Sequence, residues 1–209
     1  MAEGPAAKRP PHWEFWDTMV ALSKLAWSRR GVLLAGGATL AATATGSQAA
    51  GPMGRLVESP PKPLPELQFL DAEGTAHRPA GFTGKGLVIN LWATWCAPCV
   101  VEMPALDRAQ AALAGDGIEV LALSSDRGGK AVVEAFYREK GLRKLALWLD
   151  PRGAASRSLG VRGLPTTVIV DRAGREVARL EGPAEWDAAA MLAAIRRLVG
   201  PARPAEEKA

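Results

Sequence analysis

The chain has 209 residues, 48% hydrophobic and 23% charged, enough for one globular domain with a real core plus appended segments. Its formal charge of +4 is spread along the length, without a basic block or aromatic-basic interleaving, which argues against a nucleic-acid partner. The two cysteines are too few for the disulfide framework of a small secreted scaffold.

Residues 1–50 read as an export signal. After Arg30 no charged residue occurs before Arg55, and the stretch between is mostly Ala, Gly and Thr, with Val32, Leu33, Leu34 and Leu40 as its strongly apolar members. Its glycines and Pro52 argue against a stable membrane span. Basic residues, a modest apolar segment and the small residues around Ser47 and Ala49 supply the three parts of a cleavable signal, with cleavage near Ala49 or Ala50. "SRRGVLL" (Ser28 to Leu34) looks like a twin-arginine signal, so the twin-arginine export machinery is an expected partner. The expected location is periplasmic, the alternative being an inner-membrane anchor facing the periplasm. Met19 would begin a more ordinary leader than Met1.

Residues 51–66 contain "ESPPKPLPE", biased to extended polyproline conformation, and read as a Pro-rich spacer. The folded domain is expected over 67–198, with 199–209 a flexible tail. A turn signal at Asp71 to Gly74 predicts a small leading hairpin. Leu87 to Trp92, apolar apart from Asn90, reads as a strand buried on both faces. From Ala97 to about Leu113 the apolar spacing is helical, with a bend expected at Pro104. A strand at Ile118 to Ser125, a helix at Lys130 to Gly141, a strand at Leu145 to Leu149 and a short helix in "GAASRSLG" follow. Two strands around a turn at Asp171 to Gly174 then lead to a final helix in "EWDAAAMLAAIRRLV". This order predicts an α/β fold, a central mixed β-sheet with helices on both faces.

Cys96 and Cys99 form a single C-x-x-C between a predicted strand and a predicted helix. Structural zinc needs four ligands, and outside this pair the chain offers only His12 and His77, so no metal is expected. A Cu(I) pair and two inert buried thiols remain as alternatives to a redox couple. The junction favours the couple. Unpaired N–H groups and the positive helix end stabilise a thiolate on Cys96, the expected exposed nucleophile, while Cys99 sits one turn later, sheltered, to resolve a mixed disulfide. Pro98 is tolerated in the first turn, which needs no donor there. Trp95 reads as an apolar rim for a partner and Trp92 as core. Lys130, Asp126 and Trp186 read as surface or packing residues.

"VINLWATWCAPCVVEMPAL", together with "GLPTTVIVDRAG", resembles the thioredoxin superfamily and specifically the TlpA/ResA-like exported thiol-disulfide oxidoreductases. The resemblance covers roughly residues 62 to 198. It implies a thioredoxin-like fold with an N-terminal β-hairpin extension and a cis Pro165 facing the Cys pair, with the Leu164 backbone pairing to an extended substrate. Trp95, Pro98, Leu164 and Pro165 are the expected substrate-binding residues. Thioredoxin carries a buried aspartate where this chain has Asn90, so another group must handle the proton of Cys99. A glutamate at the spacing of Glu102 lies at the active site in the ResA-like branch. Glu102 is therefore the expected proton-transfer group, the alternative being an ordinary exposed helix carboxylate.

Ala97-Pro98 contains no histidine to stabilise the thiolate further, so reduction of substrates is expected. No cofactor is implied. Expected partners are protein substrates with disulfides or thiols and a membrane thiol-electron carrier that restores the dithiol. The family suggests apocytochrome c or oxidase copper-site cysteines as clients. A Cu(I)-handling assembly factor and a thioredoxin-fold binding module with a static disulfide are the competing readings.

Overall fold

The computed structural model describes residues 54–202; the expected export signal lies outside them, as does most of the expected tail. In chain order the elements are β1 (Val57–Pro63), β2 (Phe69–Leu70), β3 (Ala76–His77), β4 (Gly86–Trp92), α1 (Ala97–Leu113), β5 (Ile118–Ser124), α2 (Gly129–Lys140), β6 (Trp148–Leu149), α3 (Ala154–Ser158), β7 (Thr166–Val170), β8 (Arg175–Glu181) and α4 (Ala189–Val199). The strands make one eight-stranded sheet in the order β1-β8-β7-β4-β5-β6-β2-β3. β4, β5 and β6 are parallel, joined through α1 and α2, whereas β7 and β8 form an antiparallel hairpin on the other side of β4.

β4 is buried at every position, and the period of two divides its side chains between two apolar layers. Val88 and Trp92 pack with Met103 and Leu106 of α1, Phe136 of α2 and Ile195 of α4. Leu87, Ile89 and Leu91 join Phe69, Trp148 and Leu159 on the opposite face, beside α3. Helices thus cover both faces. Each fully buried Leu or Ile stabilises the fold by roughly 2 kcal/mol, and Leu106→Ala would cost about 3 kcal/mol through the cavity it leaves. Asn90 has the parity of Val88 and Trp92, which puts the one polar side chain of β4 beneath the helix that carries the cysteines.

The stretch expected to be a spacer is instead an edge strand. β1 pairs antiparallel with β8, Val57 opposite Arg179 and Pro63 opposite Arg175. The register shifts between Glu58 and Lys62, where Pro60 and Pro61 sit. A proline has no N–H for a ladder, so an outer strand with a bulge accommodates the pair. Glu58 also receives two hydrogen bonds from Arg197 of α4, at 2.6 and 3.1 Å, which ties this edge to the last helix. The domain therefore begins before residue 67.

Other boundaries move less. α1 continues through Pro104, with Met103 and Leu106 fully buried on either side of it. Only Trp148 and Leu149 of the expected third strand join the sheet. α2 stops where expected, because Gly141 takes φ 67°, a left-handed conformation that glycine adopts without penalty. α4 starts at Ala189, leaving Trp186 in the connection before it.

Candidate active site

The parallel strands β4, β5 and β6 end at one pole of the sheet, and β7 begins there, since Leu91 is paired with Thr166. Four connections therefore converge. The first, Ala93 to Trp95, is pinned by a buried carboxylate: Asp126 accepts from Thr94 N (2.9 Å), Thr94 Oγ1 (2.7 Å) and Ser124 Oγ (2.7 Å). Sequence reasoning placed Asp126 among surface or packing residues; here it fixes the approach to Cys96. Trp95 projects from the same turn and is 70% exposed, and Val101 on the adjoining face of α1 is 77% exposed. Large apolar side chains this open to water are unusual and give the pole an apolar rim.

Cys96 is the N-cap of α1, and its Sγ accepts from the backbone N–H of Cys99 at 3.4 Å. The two sulfurs are joined in a disulfide with a Cα–Cα separation of 5.3 Å. Cys96 keeps 6% of its surface exposed and Cys99 none. The nucleophile expected to be exposed is thus nearly flush with the surface, but it is the accessible one of the two. Because Ala97 and Pro98 occupy the first turn, the second sulfur is carried inward with the helix. Pro98 is exposed beside it.

The last connection, leading into β7, carries the Leu164–Pro165 bond, which is cis. Pro165 is buried and its carbonyl accepts from Gly182 N at 2.9 Å, while Thr166 Oγ1 donates to Gly163 O at 2.7 Å. The register puts Pro165 one residue beyond the Leu91–Thr166 pair, at the end of β4 from which the cysteine turn departs.

Glu102 is 2% exposed, on the buried side of α1 one turn after Cys99. It is not the ordinary exposed helix carboxylate that the sequence also allowed. Its Oε1 accepts from Asn90 Nδ2 at 2.9 Å; its Oε2 accepts from Ala184 N at 3.0 Å and from Trp186 Nε1 at 2.7 Å. Burial raises its pKa from the ordinary 4.5 to about 7, although the bonds from Trp186, Asn90 and Ala184 pull the other way. Asn90 donates also to Thr167 Oγ1, directly opposite it on β7. Trp186, read from the sequence as packing, is a hydrogen-bond donor to Glu102. No periodicity could have revealed that contact, because it joins a loop to a helix far away in the chain. Among the described residues, no three His, Cys, Asp or Glu side chains cluster so as to hold a metal ion, and no helix is long and apolar enough to cross a membrane.

A Cys-x-x-Cys disulfide at a helix start, its outer sulfur accessible and its inner one sealed, at the same pole as a cis-proline loop on a mixed sheet, defines a thioredoxin-like thiol-disulfide oxidoreductase. The Redoxin pattern matches residues 60–195. Over 121 residues the chain is 32% identical to the thiol-disulfide oxidoreductase ResA of Bacillus thuringiensis subsp. konkukian, covering 58% of this chain and 69% of that protein. It is 39% identical over 126 residues to the thiol:disulfide interchange protein HelX of Rhodobacter capsulatus, covering 60% and 68%. A crystal structure described as a thiol:disulfide interchange protein DsbE of Chlorobium tepidum shares the fold, with a TM-score of 0.60, 24% identity and coverage of 68% and 99%. The chain belongs to the Redoxin family and is a TlpA/ResA-like member of the thioredoxin superfamily.

Proposed function

We propose that this chain is an exported protein-disulfide reductase in which Cys96 attacks, Cys99 resolves and Glu102 takes the resolving proton. The observation that carries the reading is the asymmetry of the couple: an accessible sulfur at a helix N-cap and a sealed one with a buried carboxyl behind it. The Cys96 thiolate, favoured by the helix end, attacks a client disulfide; one client sulfur leaves and takes a proton from solvent. Cys99 then gives its proton to Glu102, and its sulfur attacks Cys96 Sγ. The Cys96–Cys99 bond forms, the second client sulfur leaves, and two electrons have passed to the client. A carboxyl with a pKa of about 7 suits this task, since it can accept a proton near neutral pH and release it afterwards.

Trp95 and Pro98 receive the client, and Leu164, whose backbone makes no hydrogen bond among the described residues, pairs with its extended segment. The absence of histidine between the cysteines supports reduction as the direction. Restoring the dithiol outside the cytoplasm requires a membrane thiol-electron carrier, and cysteines of apocytochrome c or of oxidase copper-site proteins are the proposed clients. The names of ResA and HelX support disulfide chemistry. The leader "SRRGVLL" supports periplasmic delivery through the twin-arginine machinery, with residues 1–50 removed.

The test is the reduction potential of the Cys96–Cys99 couple, measured by equilibration with glutathione and thiol labelling. A value near about −270 mV is expected; a value near about −120 mV would make the protein an oxidant and overturn the direction. A couple that stays closed in mild reductant, or that holds Cu(I) stoichiometrically without reducing insulin disulfides, would overturn the enzymatic role.

A further inference from the structure

We infer that the proton accepted by Glu102 goes to Oε1 and that Trp186 is the positioning residue imposing this choice. The inference rests on the proposal that Glu102 takes the proton of Cys99, and it assigns the atom that receives it.

The two carboxyl oxygens have chemically different partners. Oε2 is held by the Ala184 N–H at 3.0 Å and the Trp186 indole N–H at 2.7 Å. Both groups donate and neither can accept, so they occupy the two lone pairs of Oε2, and a proton there would have to displace one of the bonds. Oε1 has one partner among the described residues, Asn90 Nδ2 at 2.9 Å, which leaves its second lone pair open to a proton. Asn90 is fully buried, and its Oδ1 has no partner among the described residues. The second Asn90 bond runs to Thr167 Oγ1 at 2.9 Å, and a hydroxyl donates as readily as it accepts. The Asn90 amide stays in place, its two N–H groups held by Oε1 and by Thr167 Oγ1.

The surroundings leave this choice to hydrogen bonds. Cys99 is the titratable neighbour on α1, while β4 and β7 face the carboxyl with neutral Asn90 and Thr167. On the connection from β8 to α4, Glu185 is exposed and Asp187 is bound to Arg108 at 2.6 Å. Burial is the largest influence on the Glu102 pKa, and the influences opposing it are the hydrogen bonds from Trp186, Asn90 and Ala184. In the transfer itself the Cys99 S–H bond breaks, sulfur keeps the electron pair, and the O–H bond forms at Oε1.

The experiment follows the Trp186 indole N–H of the reduced full-length protein by proton-nitrogen NMR between about pH 5 and 9, with the resonance assigned by its loss in Trp186→Phe. The indole resonance is expected to titrate with the midpoint of the exchange-rate profile and to remain hydrogen-bonded on the acid side, because Oε2 keeps its donors. Trp186→Phe keeps an aromatic side chain, smaller than the indole, and removes one donor to the ionised form, so the midpoint of its rate profile should move upward by about one pH unit. An indole resonance that is flat with pH, or that loses its hydrogen bond when acidified, overturns the inference, as does an unchanged midpoint in Trp186→Phe. If that variant does not fold, the titration of the unaltered protein decides. An indole that titrates while the rate does not follow it would sink the role of Glu102 in exchange and leave the oxygen assignment standing.

Discussion

Two glutamates of this protein are buried to nearly the same degree, Glu102 at 2% exposure and Glu176 at 3%, and their ionisation is driven in opposite directions. Glu176, on β8 under the β1 edge, also loses hydration. Yet the Arg179 guanidinium grips both its oxygens at 3.0 and 3.1 Å, and Lys62 stands at 3.3 Å, so its pKa falls below the ordinary 4.5. Glu102 has three donors but no cation, and burial wins. Hydrogen bonds from neutral groups stabilise a carboxylate less than charge-assisted ones do. The same residue type, equally hidden, is held as an anion beside the edge strand by charged partners and is pushed toward its neutral form on the buried side of the helix that carries the cysteines.

The largest expected effect separates the two regions outright. Cys99→Ser should reduce turnover by roughly a thousandfold or more and accumulate a client joined to Cys96, visible by non-reducing electrophoresis. Release of the client at an ordinary rate would show that another group resolves it. Next comes Glu102→Gln, expected to slow exchange by roughly ten- to a hundredfold near pH 7.5 and to flatten its pH dependence. The same variant has a signature in stability. The folded pKa of Glu102, about 7, lies above the ordinary 4.5, so its contribution is fully present below 4.5 and is lost as pH rises through 7, by about 3 kcal/mol. Denaturant unfolding of Glu102→Gln should therefore lack this loss between pH 4.5 and 8.

Arg179→Met tests the other half of the comparison. The lowered pKa of Glu176 gives stability that is present above 4.5 and disappears as pH falls through the folded value, so the variant should lose about 1 to 2 kcal/mol near neutral pH and less once the carboxyl is protonated in acid. Its exchange rate should not change. Activity that fell with Arg179 would break the division of labour between the two carboxylates. The smallest expected effect belongs to Trp95→Ala, a few-fold rise in KM for a protein disulfide with little change toward a small disulfide, measured by steady-state kinetics.

Much of this organisation is legible in the sequence because it rests on local rules. The buried run Leu87 to Trp92, the helical spacing after Ala97 and the turn at Asp171 to Gly174 correspond to β4, α1 and the β7–β8 hairpin. The Cys pair at a strand-to-helix junction likewise announces its asymmetry, since one helical turn carries the second sulfur inward. What escapes is long-range. The prolines of β1 look like a spacer because the sequence cannot show that β8 lies alongside with a bulge to spare. Glu102 falls on the buried side of its helix, but only the connection after β8 supplies the Ala184 and Trp186 donors that make this burial tolerable. Asp126 is similar: its clamp on Thr94 joins two loops that meet only because β4 and β5 are parallel neighbours.

A carbon NMR titration of the Glu102 side-chain carboxyl, assigned by comparison with Glu102→Gln, tests the central claim most directly. Burial without a cation predicts a midpoint near 7. A midpoint near the ordinary 4.5 would mean that the carboxyl stays ionised at neutral pH, and Glu102 could not be the group that receives the proton of Cys99.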